Sequence, residues 1–246
     1  MSPEEHEIMR SVEDHYWWYR ALRWHVTDAI DSQFAAGKLL DAGCGTGGML
    51  HTVRERFPRM QLTGIDASSR ALDLTRERKI DVQLIQSTVD ELPFADQAFD
   101  CVLSIDVVTA ATVDANRAMA EMRRVLRPGG QLILNVAALR FLRGAHDAAT
   151  NVTKRFTRAE LAQLISAAGL MLERMTYWNA LLMPPVAIAR WLSRRRAKEQ
   201  PRSDFRPLPN AANATLRNIA LLELNVSRYV PLPFGTSLFA VARRNE

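Results

Sequence analysis

The chain has 246 residues, 48% of them apolar, which suits one α/β domain with additions and a sizeable buried core. Its net charge of +5 comes from 32 basic and 27 acidic residues that are intermixed, with no basic and aromatic stripe that would track a nucleic-acid backbone. Cys44 and Cys101 show neither pairing nor metal spacing, the acidic start is unlike a signal peptide, and no apolar run reaches the ~18 residues of a membrane span, so a cytoplasmic protein without zinc or disulfides is expected.

Residues 4–31 predict one or two helices rich in aromatics, with Tyr16-Trp-Trp-Tyr19 and Trp24. Strands are then expected over 38–42, 61–66, 82–86, 99–105 and 131–137, with helices between them. Such alternation predicts parallel strands joined by crossover helices, with ligands at the carboxyl ends of the strands. Thr157-Arg-Ala-Glu160 reads as a capping box opening a helix that Gly169 ends, which gives Glu160 a structural role. The last two strands are expected over 170–178 and 235–243. The roughly 55 residues between them are too many for a structureless loop and predict helices over 180–196 and 213–227, separated by proline-rich breaks. The basic run 190–198 reads as a solvated helix end, or else as a seat for an anionic ligand or membrane face. The expected organisation is one domain over 1–246: a helical lid 1–35, a Rossmann-like core 36–178, a helical insertion 179–233 that caps the site or makes a dimer contact, and a last strand 234–246.

The densest signal lies at 39–48, Leu-Leu-Asp-Ala-Gly-Cys-Gly-Thr-Gly-Gly, an apolar strand ending in an acid and opening into a glycine-rich loop. Glycines there permit a sharp turn and close approach of the backbone to a ligand. Asp41 would repel a pyrophosphate but suits the ammonium side of a cationic cofactor, reached through a water or a backbone amide. The acid therefore argues against NAD and for S-adenosylmethionine. A second apolar strand ends at Asp66, 25 positions later, where a carboxylate accepts both hydroxyls of a ribose.

Through Asp41-Ala-Gly-Cys-Gly-Thr-Gly-Gly48, Gly64-Ile-Asp66, Glu91-Leu-Pro-Phe94, Phe99-Asp-Cys-Val-Leu-Ser104 and Val125-Leu-Arg-Pro-Gly-Gly130, the chain resembles the class I S-adenosylmethionine-dependent methyltransferases. The resemblance implies a seven-stranded Rossmann-like sheet with helices on both faces, S-adenosylmethionine as donor and S-adenosylhomocysteine as its product. It implies cofactor contacts at Asp41, Gly43, Cys44, Gly45, Asp66, Ala67, Ser87, Thr88, Val89 and Ser104, and no metal. Thr88 stands where the family usually has the acid that accepts the adenine amino group; its hydroxyl can accept the same bond, the Val89 amide can donate to the ring, and Asp90 is the alternative.

After the fourth strand many relatives read Leu-Glu-His, whereas this chain has Asp106-Val-Val-Thr-Ala-Ala-Thr112 and no histidine. Asp106 is expected at the boundary between donor and acceptor, or as the cap of a turn. The run Asp14-His-Tyr-Trp-Trp-Tyr-Arg-Ala-Leu-Arg23 resembles the N-terminal segment of a bacterial subgroup that often reads His-Trp-Trp, with Tyr16 in place of the histidine. Trp17 or Trp18 either packs in the core or, as a lid, covers the sulfonium, with Arg20 or Arg23 pairing the methionine carboxylate. Trp18 and Arg23 are the expected contacts.

His146 in the loop after the fifth strand is expected as a proton acceptor or a structural hydrogen-bonding residue, with Asp106, Tyr16 and His15 as further candidates for proton chemistry. Arg140, Arg143, Lys154 and Arg155 nearby would suit an acidic acceptor. The expected function is in-line methyl transfer to a small organic molecule of specialised metabolism, in an enclosed pocket. The alternatives are a lipid or isoprenoid phosphate acceptor, or a non-catalytic cofactor-binding protein, since Thr88 and Ala110 replace common functional residues. Expected partners are that small molecule, no nucleic acid, at most a peripheral membrane contact, and a monomer or homodimer.

Overall fold

The computed structural model describes residues 3–143, 147, 152–184 and 208–245. Seven strands form one sheet: β1 Lys38–Ala42, β2 Gln61–Asp66, β3 Gln83–Gln86, β4 Phe99–Ile105, β5 Leu126–Ala137, β6 Leu170–Trp178 and β7 Ser237–Arg244, in the spatial order β3-β2-β1-β4-β5-β7-β6. The first five are parallel, and β7 inserts antiparallel between β5 and β6. This is the Rossmann-like class I methyltransferase sheet that the motif order implies.

The central strands are apolar along their length because both faces are covered. Successive side chains alternate between faces. Leu39, Cys101, Leu103, Ile133 and Phe239 join one buried cluster, and Leu40, Val102, Leu132, Leu134 and Ala240 join the other. The chain runs from β1 outward through β2 to β3, then returns to add β4 on the other side of β1. Connections diverge between the carboxyl ends of β1 and β4, which leaves a crevice there.

Helices follow the strands as the patterning predicts: α1 Pro3–Val12, α2 Trp17–Ala29, α3 Gly48–Arg56, α4 Ser69–Arg76, α5 Ala115–Val125, α6 Arg158–Ala167 and α7 Asn210–Ser227. Side-chain oxygens of Ser68 and Asp114 cap α4 and α5, and the capping box of Thr157 and Glu160 opens α6. Glu160 also pairs with Arg140, so its role is structural, and that arginine is taken up at the surface.

Two differences from the sequence expectations concern strand ends and the insertion. β5 begins at Leu126 rather than at residue 131, because Leu126 already pairs with Phe99 before the register shifts through the Arg-Pro-Gly-Gly turn. In the insertion, α7 lies against α2, where Trp17 N donates to Asn213 Oδ1 at 2.8 Å and Asn213 Nδ2 donates to His15 O at 2.6 Å. Glu223 of α7 accepts the backbone amides of Ala180 and Leu181 at 3.0 and 2.8 Å. α7 thus buttresses the N-terminal helices from behind and contributes no residue to the cavity described below. Most of the expected helix 180–196 and the basic run 190–198 lie outside the described residues. Among the described residues no helix is long and apolar enough to cross a membrane.

Candidate active site

A cavity of about 710 Å³ opens at the carboxyl ends of β1, β2 and β4, walled on its outer side by α1 and α2. β1 delivers Asp41 to its floor and then turns sharply. Gly43 has φ +95°, and a Cβ there would overlap the Val107 side chain, so both conformation and space require glycine. The amides of Gly43 and Cys44 donate to Ile65 O at 2.9 and 2.8 Å, which ties the loop to β2. Gly48 opens α3 where a Cβ would run into the carboxylate of Glu13 and the guanidinium of Arg23.

Asp66 accepts the Gly45 amide at 2.9 Å through one oxygen and the Ser68 amide at 2.9 Å through the other. Each oxygen keeps a free lone pair for a ribose hydroxyl. Asp41 is buried, and its Oδ2 has no hydrogen-bond partner. Burial first, and the charge of Asp66 second, push its carboxyl up to about 7. A buried oxygen without a donor is costly, and the residues fit a ligand that brings an ammonium or a bridging water to that point. At the opposite wall Ser87, Thr88, Val89 and Asp90 all face the cavity, with the Ser87 hydroxyl closing its own loop onto Glu91 O at 3.0 Å. Ala67 is also in the wall, as are Cys44 and Gly45. Ser104 is not: it is fully buried and absent from the wall.

The N-terminal segment reaches the loop through a polar cluster that aromatic patterning alone did not reveal. Glu13, buried, accepts hydrogen bonds from Thr46 Oγ1 and Arg78 Nη2. Arg78 also donates to Thr46 O at 2.7 Å and to Asp14 at 3.1 Å. Arg23 donates to Glu13 O and, at 3.4 Å, to Asp14. Arg23 therefore sits beside Gly48 at the cavity wall with its charge partly shared, and burial lowers its proton affinity. Arg20 and His15 are exposed and do not line the cavity. The adjacent acids Glu13 and Asp14 were the only sequence signal for this cluster.

Tyr16, Trp18 and Tyr19 complete the outer wall. Trp18 stacks on Trp178, centroids 5.7 Å apart, and meets Tyr19 edge-on at 5.2 Å. Burial, then the charges of Glu13 and Asp106, hold the Tyr19 phenol well above its ordinary range, so it stays protonated.

Asp106 follows β4 in the left-handed region, φ +60°, an uncommon backbone for a residue with a Cβ and one that recurs at functional sites. Both of its carboxylate oxygens accept from Asn135 Nδ2 at 3.1 Å. Asn135 Oδ1 accepts Trp178 Nε1 at 2.8 Å. An indole N–H only donates, so it fixes which end of the Asn135 amide faces Asp106. Burial pushes the Asp106 carboxyl up to about 7, against the opposing pull of the Asn135 hydrogen bond and the Arg155 charge. Its backbone carbonyl also accepts the Thr109 hydroxyl at 2.6 Å, so Asp106 both lines the cavity and closes a turn.

Beyond Asp106 the wall includes Val107, Val113, Asn179 and Thr236. Arg155 grips Asp147 with two hydrogen bonds of 2.8 and 2.6 Å and Ala138 O with a third of 2.7 Å. Of the four bases expected to meet an acidic acceptor, Arg155 alone lines the cavity; Lys154 lies over the Phe156 ring, and Arg140 and Arg143 are exposed. His146 lies outside the described residues.

Residues 40–134 match the family described as "Methyltransferase domain". The chain is 32% identical over 97 residues to demethylmenaquinone methyltransferase of Thermotoga maritima, covering 39% of this chain and 42% of that protein. It is 36% identical over 119 residues to malonyl-[acyl-carrier protein] O-methyltransferase of Serratia marcescens, covering 48% and 46%. The chain thus spans less than half the length of these curated relatives. Its fold superposes on a chain from the complex between the Haloferax volcanii Trm112 methyltransferase activator and a methyltransferase, with a TM-score of 0.64, 21% identity and coverage of 99% and 94%; that likeness is one of fold. The glycine loop and both strand-end carboxylates, Asp41 and Asp66, fall within the residues matched by that family, so the similarity to methyltransferases covers the strands that build the cavity floor.

Proposed function

We propose that the chain transfers a methyl group from S-adenosylmethionine to a small organic molecule in the cytoplasm. The supporting observation is that one cavity runs without a break from Asp41, Asp66 and Thr88 to the compartment of Tyr16, Trp18, Tyr19 and Asp106. Donor and acceptor thereby share one enclosed space. S-adenosylmethionine, when bound, supplies an electrophilic methyl carbon. The protein's own residues hold and orient. Asp66 takes the ribose hydroxyls, Asp41 the ammonium side, Thr88 and the Val89 amide the adenine, and Arg23 the methionine carboxylate.

Trp18 and Tyr19 exclude water from the outer side and offer π faces to a cationic centre. Asp106, in the same lining, is the group we assign to accept a proton from the acceptor, and Tyr16, also in the lining, is a second candidate. His146 is a further candidate for that role. Alignment alone supplies on the order of 7 to 11 kcal/mol in ideal cases, so a methyl transfer needs little more than positioning and a sink for one proton.

A lipid or isoprenoid phosphate acceptor is the second reading. It is favoured by the exposed apolar run at the end of α7, where Leu222, Val226, Tyr229 and Val230 are 63%, 49%, 85% and 59% exposed. Incubation with methyl-labelled S-adenosylmethionine and a cell extract tests both. Label in the small-molecule fraction supports the first reading, and label in the lipid fraction the second. Label in neither, with S-adenosylhomocysteine binding intact, supports a cofactor-binding protein without catalysis.

A further inference from the structure

The cavity changes character along its length, and its charge pattern bears on what the acceptor is. Glu13, Asp41, Asp66 and Asp90 belong to the end that holds the cofactor, together with His6, which enters on α1 beside Met9 and the glycine loop. At the far end the charged side chains among the described residues are Asp106, Asp147 and Arg155. Arg155 is fully engaged: its Nε and Nη2 donate to the Asp147 carboxylate and its Nη1 to Ala138 O, and both side chains are buried. The Arg155 charge is thereby taken up within the wall. Among the described residues Asp106 is left as the charge that faces the acceptor space, in a lining that also holds Val107, Ala110, Val113, Tyr16, Trp18 and Tyr19.

An anionic acceptor would meet this carboxylate with no described cation free to offset it. A cation on an apolar body would meet a carboxylate and aromatic faces together, the combination that attracts ammonium groups. We propose that the acceptor is an amine: a primary or secondary ammonium on an apolar or aromatic body, received by the carboxylate of Asp106, which Asn135 holds and Trp178 orients through Asn135. This inference rests on the methyltransferase reading above and names the acceptor class for the same site.

The proton balance closes within the site. An ammonium N–H gives its proton to the Asp106 carboxylate, and the electron pair of that bond becomes the nitrogen lone pair. The lone pair forms the new N–C bond to the methyl carbon as the C–S bond breaks, its electrons returning to sulfur as the neutral thioether. The product is the N-methyl ammonium, and the Asp106 proton leaves to solvent. Asn135 and Trp178 touch no reactant in this scheme and act as positioning residues. With the indole N–H removed, the Asn135 amide loses the partner that points its NH₂ at Asp106.

The test compares three probes of one shape, 2-phenylethylamine, 2-phenylethanol and 3-phenylpropionate, for binding to the full chain saturated with S-adenosylhomocysteine, followed by calorimetry. The amine should bind about tenfold or more tightly than the alcohol, as a charge-assisted hydrogen bond implies, and the acid more weakly than either. Asp106→Asn, which keeps the side-chain shape and tolerates the left-handed backbone, should remove the preference for amine over alcohol. Trp178→Phe should reduce that ratio while leaving S-adenosylhomocysteine affinity in place, a split that a merely structural role would not produce. Equal or better binding of the acid, a flat series, no binding of any probe at millimolar concentration, or a preference that survives Asp106→Asn overturns the amine assignment alone. Failure of S-adenosylhomocysteine to bind overturns the methyltransferase reading with it.

Discussion

Asp41 and Asp66 differ in how far they are satisfied before any ligand arrives, and two predictions follow from that contrast. Asp66 has both oxygens on backbone amides of the glycine loop and the start of α4. Asp66→Ala removes the proposed ribose acceptor and the anchor of the loop together, so S-adenosylhomocysteine affinity should fall roughly 100-fold or more, the loss of two charge-assisted hydrogen bonds. Unchanged affinity by calorimetry would place the site elsewhere. Asp41 is the reverse case, a buried carboxyl with an oxygen unpartnered and its pKa raised to about 7. A carboxyl raised in the folded state binds its proton more tightly there than when unfolded, near 3.8. Its contribution to stability is therefore present at low pH and is lost as pH rises from about 4 through about 7. Asp41→Asn should raise the melting temperature of the free protein by several degrees at pH 8 and by clearly less at pH 5, while weakening the cofactor. Thermal denaturation at the two pH values checks this, and an equal shift at both would show that Asp41 is not held as described. Both residues were legible in the sequence because each ends an apolar strand at a turn. Asn135 and Trp178 were not, since their bond joins β5 to β6 across 43 positions and no local pattern carries it.

At the scale of elements, the strands and helices were read from period and caps, with the destination of two elements left open. α7 was expected from its apolar content, but nothing in its sequence shows that Asn213 meets the open start of α2. Tertiary pairing decides that. The same holds for α1 and its following turn, which the sequence marks as an aromatic lid and the structure fastens by charge. Arg78 and Glu13 are 3% and 6% exposed at the side chain, so the pair works at low dielectric and with little screening. Removing one partner leaves the other buried and uncompensated, a cost of about 3–5 kcal/mol that local opening can relieve. Arg78→Met should therefore speed amide hydrogen exchange over residues 3–16 by a large factor while β4 and β5 stay protected. Exchange rising equally throughout the sheet would mean that the cluster supports the whole core rather than the lid.

For the whole molecule, the site exists because the sheet reverses its order between β1 and β4 and the N-terminal helices fold back over the gap. Both halves contribute to one cavity: β1 and β2 supply Asp41 and Asp66, the turn after β4 Asp106, the turn between α1 and α2 Glu13 and Tyr16, and α2 Trp18. A ligand that touches all of them binds the folded state and not the unfolded one, so it must raise stability by mass action, by about 2.7 kcal/mol at a hundred times its dissociation constant. For a chain of this size that corresponds to a rise of roughly 5–10 °C in melting temperature. S-adenosylhomocysteine should produce this rise, and NAD should not, because Asp41 stands where a pyrophosphate would have to approach and its carboxylate repels one. Asp66→Ala should nearly abolish the rise, read against the variant's own ligand-free melting temperature, which loss of the Gly45 and Ser68 contacts lowers. A shift with NAD that equals or exceeds the shift with S-adenosylhomocysteine would mean that the glycine loop holds a pyrophosphate after all, with Asp41 neutral beneath it. That outcome would remove the charge argument that separates this site from a dinucleotide fold built on the same strand order and the same turn.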